Sequence, residues 1–155
     1  QGEYIIGNPN PKFYYGFNTS FRYQQFDLYA QFYGVYGNDI FNFDKFTPSA
    51  QLQAWTPDNP TNLYPSVNST RVYYASDWYV QKGSYLRIQN VNLGYTFKPG
   101  TIKGITNLRI YLSGANLYTF TKFNPSFDPE VGEDGQFNGS YRKPRQFSFG
   151  ANLTF

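Results

Sequence analysis

The chain has 155 residues, a formal net charge of +3, and neither cysteine, histidine nor methionine. Disulfide frameworks, thiolate chemistry, zinc sites and imidazole catalysis therefore have no residues to work with in this sequence. Charged residues make up only 15% and aromatics reach 22%, whereas an average globular domain is about 25% charged. The positive charge is scattered without a basic stripe, which argues against nucleic acid as a partner.

No run approaches the roughly 18 consecutive apolar residues of a membrane helix. A mean hydropathy of −0.58 speaks against helical spans but not against a membrane barrel, in which every second strand residue faces water and the loops are polar. Gln1 reads as an internal cut or a mature end rather than a translation start.

Taken in order, Gly7-Asn8-Pro9-Asn10-Pro11 is a turn cluster that forbids a strand. Alternation begins at Phe13. Phe13, Tyr15, Phe17, Phe21 and Tyr23 share one face of an extended segment, while Tyr14, Gly16, Asn18, Ser20 and Arg22 take the other. A tight turn at Gln24-Gln25 leads to a second strand, Phe26 to Tyr36. There Phe26, Leu28, Ala30, Phe32 and Tyr36 oppose Asp27, Tyr29, Gln31 and Tyr33.

Regularity then stops from Gly37 to about Gly83, a stretch holding Pro48, Pro57, Pro60 and Pro65. A connection this long calls for a functional reason. Tyr73, Tyr74, Trp78 and Tyr79 near its end could stack on sugar rings; the plainer reading is that they pack the loop on itself or against a partner protein.

A third strand runs from about Tyr85 to Phe97. Its apolar residues change parity between Ile88 and Val91, which predicts a bulge near Gln89. Short turn residues, Lys98-Pro99-Gly100 and Lys103-Gly104, lead to the fourth strand, Asn107 to Phe120. It sets Leu108, Ile110, Leu112, Tyr118 and Phe120 against Arg109, Tyr111, Ser113 and Thr119. Thr121 to Arg145 is irregular again and carries Asp128, Glu130, Glu133 and Asp134, which lack calcium-loop spacing and read as a solvated acidic loop. The chain ends on Gln146 to Phe155, where Phe147, Phe149, Ala151, Leu153 and Phe155 alternate with Gln146, Ser148, Gly150, Asn152 and Thr154.

Connections thus alternate short and long, the asymmetry of outer-membrane barrels. With Phe155 at the periplasmic rim, Tyr23, Phe26, Phe97 and Phe155 form one aromatic girdle and Phe13, Tyr36, Phe120 and Phe147 the other. Five strands cannot close a membrane barrel, for which eight or more are needed. The expectation is all-β: a piece of an antiparallel transmembrane β-barrel. Its rival is a soluble carbohydrate-binding β-sandwich of a secreted glycan-degrading system. Arg22, Asp27, Tyr29, Tyr33, Arg109 and Tyr111 would face the lumen, lining a path or pairing with one another. No catalytic constellation is present, so no enzyme and no cofactor is expected.

Several stretches resemble the C-terminal part of SusC/RagA-type TonB-dependent transporters of Bacteroidota outer membranes. They are I-G-N-P-N-P-K-F-Y-Y-G-F-N (6–18), F-D-L-Y-A-Q-F-Y-G-V-Y-G-N-D-I-F-N (26–42) and S-Y-L-R-I-Q-N-V-N-L-G-Y-T-F (84–97). L-R-I-Y-L-S-G-A-N-L-Y-T-F-T (108–121), F-D-P-E (127–130) and P-R-Q-F-S-F-G-A-N-L-T-F (144–155) complete the set. The resemblance implies that residues 1–155 are the last five strands of a 22-stranded barrel, about the size at which a lumen is plugged, with plug domain and first strands absent. It implies import of oligosaccharides or peptides across the outer membrane and a SusD-like lipoprotein lid. TonB would be reached through the absent N-terminal part, and the transporter–lid pairs would associate as a homodimer. Outer-membrane lipid and the rest of the barrel and plug are the remaining partners. By the same resemblance, Phe147, Phe149, Leu153 and Phe155 form a barrel-assembly signal.

Overall fold

A computed structural model describes residues 4–46, 52–62, 64, 66, 75–124 and 126–155. Eight strands are present among them: β1 (Phe13–Tyr23), β2 (Phe26–Tyr36), β3 (Asp39–Asn42), β4 (Val80–Lys82), β5 (Tyr85–Thr96), β6 (Asn107–Thr121), β7 (Gln136–Phe137) and β8 (Gln146–Thr154). They fall into two compact units, one made of residues 14–35, 85–121 and 143–155, the other of residues 1–13, 36–84 and 122–142.

The first unit is a sheet in the order β1-β2-β5-β6-β8. The five long strands lie where the alternation places them, because each is a run of bulky aromatic and branched residues bounded by turn residues. β2 and β5, β5 and β6, and β6 and β8 all pair antiparallel. Register confirms the bulge: Gln31 faces Asn90 but Phe32 faces Ile88, so Gln89 is the extra residue. β6 answers with its own irregularity, Ile88 facing Tyr118 and Asn90 facing Ala115, with Asn116 at φ +53°. Parity is thereby restored. Leu28, Leu93, Leu112 and Phe149 line up in one apolar row across the sheet.

That face is exposed. Phe149 keeps 74% of its surface, Phe147 69% and Leu112 52%, with Phe17, Phe21, Phe26 and Leu93 exposed beside them. On β5 and β6 it is the polar face that is covered: Arg87 is buried and Tyr111, Ser113 and Thr119 are half-buried. A sandwich does the reverse, burying its apolar face against a second sheet. The arrangement suits a barrel wall, apolar towards lipid and polar towards the lumen.

The rings also pair along this face. Phe17 stacks on Phe32 at 4.4 Å, and Phe26 meets Tyr95 edge-on at 4.9 Å. One detail of the expected girdles changes. Phe147 faces Gly114 in mid-strand, whereas Phe120 faces Leu86 beyond it, so no row of the register brings these two rings level. Barrel strands are tilted and sheared, so residues that pair across the sheet need not share a height.

The second unit corrects the expectation that residues 37–83 and 121–145 lack regular structure. They contain a small sheet of order β4-β3-β7, with β3 antiparallel to β4 and parallel to β7. Two 3-10 turns, Phe43–Phe46 and Asp77–Tyr79, flank it. Ile40, Phe123 and Phe137 form a closed core, with Phe127 and Val131 packed against it. The described parts of the two long connections are thus folded together rather than left as separate loops. Strands of two to four residues show no readable alternation, which is why the sequence conceals them.

Candidate functional site

The polar face of the five-stranded sheet gathers most of the residues singled out for the lumen. Arg109 at the start of β6 reaches across β5 to Asp27 on β2. Its Nε donates to Asp27 Oδ1 at 3.0 Å and its Nη2 to Asp27 Oδ2 at 2.6 Å, a two-pronged ion pair. The same Nη2 donates to Asn92 Oδ1 at 2.8 Å. The reach requires Gly94: a Cβ there would fall 2.3 Å from Arg109 Nη2. The Arg109 guanidinium also lies 5.2 Å from the centre of the Tyr111 ring, and that ring covers Gly150, its partner on β8. Arg22 is exposed on β1 and acts electrostatically on Asp27.

Along the same face, Tyr29 faces Asn92, Gln31 faces Asn90 and Tyr33 faces Arg87. Asn90 Nδ2 donates to Gln31 Oε1 at 2.9 Å, and Arg87 Nε donates to Thr119 Oγ1 at 3.1 Å. The result is a hydrogen-bonded polar ladder across three strands. Sequence reasoning missed Asn92, Asn90, Gln31, Arg87 and Thr119 as members. Parity carries the signal for most of them; for Arg87 it is readable only once the bulge at Gln89 is counted.

In the second unit, Trp78 and Tyr79 sit on the 3-10 turn before β4. Tyr79 is fully buried, stacked on Phe41 at 5.4 Å and edge-on to Trp78 at 4.7 Å. It packs the unit and offers no surface to a ligand. Trp78 is half-buried; Tyr64 meets it edge-on at 5.9 Å, and Lys45 Nζ lies 4.4 Å from its ring centre while donating to its carbonyl oxygen. Burial lowers the Lys45 pKa and raises that of Tyr79. Tyr73 and Tyr74 lie outside the described residues.

Asp39 anchors β3. It accepts from Lys82 Nζ at 2.8 Å and from the Asn8 amide at 3.1 Å. Burial raises its pKa, but these bonds and the charges of Lys82 and Lys12 outweigh it, and the net shift is downward. The acidic segment makes turns: Asp128 Oδ1 accepts from the Glu130 amide and Asp134 Oδ1 from the Gln136 amide. Phe147, Phe149 and Leu153 on β8, and Phe155 after it, are all exposed on the apolar side.

An antiparallel sheet with a bare aromatic face and a hydrogen-bonded polar face is a wall segment of an outer-membrane β-barrel. No family model matches the chain. It is 33% identical, over 97% of its length, to the TonB-dependent receptor P3 of Formosa agariphila, of which it covers 17%. It is 26% identical over 99% of its length to the TonB-dependent receptor SusC of Bacteroides thetaiotaomicron, of which it covers 16%. Among solved structures, the RagAB peptide importer in its open-open state superposes with a TM-score of 0.79 at 25% identity, over 97% of this chain and 18% of that one. The chain belongs with the SusC/RagA-type TonB-dependent transporters, as a segment of their barrel. It spans about a sixth of the length of the relatives it matches.

Proposed function

We propose that this chain supplies part of the wall and the folded outer connections of an outer-membrane importer that takes up oligosaccharides or peptides. The observation that carries the reading is the two-faced sheet, with rings bare on one side and the Asp27–Arg109–Asn92 ladder on the other. A wall that separates lipid from a wet lumen needs both faces; a soluble sugar-binding module has no use for the first.

In this reading residues 1–155 are one region of a longer protein whose other regions complete the barrel, provide the plug and reach TonB in the periplasm. The long connections lie on the cell surface, where a SusD-like lipoprotein closes the mouth, and such pairs associate as dimers. Arg22, Asp27, Tyr29, Tyr33, Arg109 and Tyr111 face the lumen and the plug. Of Tyr73, Tyr74, Trp78 and Tyr79, Trp78 is the described one with surface left to meet a substrate or the lid. Phe147, Phe149, Leu153 and Phe155 serve barrel assembly as well as lipid contact.

The test is purification of the full-length protein from its own outer membrane. Co-purification of a lipoprotein, with calorimetric binding of either oligosaccharides or mixed peptides, is expected, and the ligand that binds decides the substrate class. A full-length protein that purifies without a lipoprotein and binds neither ligand would overturn the reading.

A further inference from the structure

The short strand β7 is flanked by the sequence's one Asp-Gly pair, Asp134-Gly135, and its one Asn-Gly pair, Asn138-Gly139. Such pairs are chemically weak, because the glycine nitrogen can close on the side-chain carbonyl carbon of the residue before it. Glycine has no Cβ to obstruct that approach. The fold treats the two pairs differently. Gly135 is buried, and its amide donates to the Gly132 carbonyl at 3.0 Å. Asp134 Oδ1 is taken by the Gln136 amide at 3.1 Å. A Cβ at Gly135 would fall 2.4 Å from Pro9, so this backbone has no room to turn. Asn138, by contrast, is exposed. Among the described residues nothing bonds its carboxamide, and nothing accepts from the Gly139 amide. Gly139 sits at φ +83° with nothing within 4 Å of the place a Cβ would take. Neither reacting group has to give up a bond inside the protein before the two meet.

We propose that Asn138 is a site of spontaneous covalent modification, deamidation through a succinimide, and that the fold holds Asp134 inert. Base in solution takes the proton of the Gly139 nitrogen, which then attacks Asn138 Cγ. A C–N bond forms, the Cγ–Nδ2 bond breaks, and ammonia leaves with a proton returned from solvent. Water opens the ring at either of its carbonyl carbons. Opening at Cγ gives aspartate; opening at the Asn138 backbone carbonyl gives isoaspartate, with the chain routed through the former side chain. Both products place a carboxylate where a neutral amide stood, in a connection that already carries Glu130, Glu133 and Asp134. Isoaspartate also adds a methylene to the backbone between two anchors. One is Phe137 in the small core, and the other is Ser140, whose carbonyl accepts from the Asp128 amide at 3.3 Å.

The test incubates the full-length protein, folded in detergent, in mildly alkaline heavy-oxygen water and maps its peptides by mass spectrometry with electron-transfer fragmentation. Asn138 should convert faster than every other asparagine of residues 1–155 by at least an order of magnitude. Its product should carry heavy oxygen and include both aspartate and isoaspartate, while Asp134 stays unisomerised. The same incubation in urea should bring Asp134 isomerisation up, because the bonds that hold Gly135 and Asp134 are then gone. An Asn138 that stays intact while other asparagines convert would overturn the proposal. So would Asp134 isomerising in the folded protein as fast as Asn138 converts.

Discussion

At the scale of single residues, the two sides of β8 make the sharpest contrast. Phe149 and Ser148 are neighbours in sequence and both exposed, so a soluble protein would treat an added charge at either alike. In a barrel wall they face different media. Phe149→Arg should lower folding stability in lipid by about 2–4 kcal/mol if it lies near mid-bilayer, and Ser148→Arg by much less. Urea titration of the full-length protein in vesicles measures both; equal losses would reverse or abolish the assigned faces. Asp39 gives a second residue-level prediction. Its carboxyl is held below the ordinary aspartate value of 3.8 once the bonds from Lys82 and Asn8 outweigh burial. A depressed carboxylate contributes stability that is present above the unfolded value and lost as pH falls through the folded one. In protein labelled with 13C-aspartate, the Asp39 carboxyl should titrate below 3.8, and Lys82→Gln should move its midpoint upward. A midpoint unmoved by Lys82→Gln would remove the ion pair from the account.

At the scale of elements, close contacts between strands explain where glycine is required. Gly34 on β2 lies under the Tyr15 ring, whose hydroxyl donates to the Tyr85 carbonyl at 3.1 Å. A Cβ at Gly34 would meet the ring at 2.4 Å and the Tyr85 carbonyl oxygen at 2.6 Å. The ring can swing away but the backbone cannot, so Gly34→Ala should cost about 1–3 kcal/mol. Gly94→Ala meets only the movable end of Arg109 and should cost less, while detaching Arg109 from Asp27. Urea midpoints of the two variants check the order; Gly94→Ala being the costlier would contradict it. The long strands were legible because a period of two over nine or more residues cannot be mistaken, and the parity change at Gln89 betrayed its bulge. β3, β4 and β7 were not, because their stability comes from pairing between distant segments. That Asp27, Tyr29, Tyr33, Arg109 and Tyr111 share the polar side of the sheet was legible from parity. That Arg109 would choose Asp27 across β5 was not, since strand order is needed to bring β2, β5 and β6 together.

At the scale of the whole molecule, the sheet order places β1 and β8 at its two edges. Each edge presents a row of N–H and C=O groups with no strand of this sheet to receive them. In hydrocarbon every such unmet group costs several kcal/mol, which is why membrane sheets close on themselves. Water is no refuge either, because there the aromatic face is bare. The relatives are about six times longer than this chain, and their further length has room for strands to meet both edges. Hydrogen exchange then makes a definite prediction. In the full-length protein in lipid, the outward amides of β1 and β8 should exchange as slowly as those of β5, which is paired on both sides. Expressed alone in detergent, the 155-residue chain should lose protection first along those two edges, while β5 stays the slowest of its strands. Protected edges in the isolated chain at low concentration would mean that it closes by itself. The wall-segment architecture would then have to give way to a small self-contained barrel.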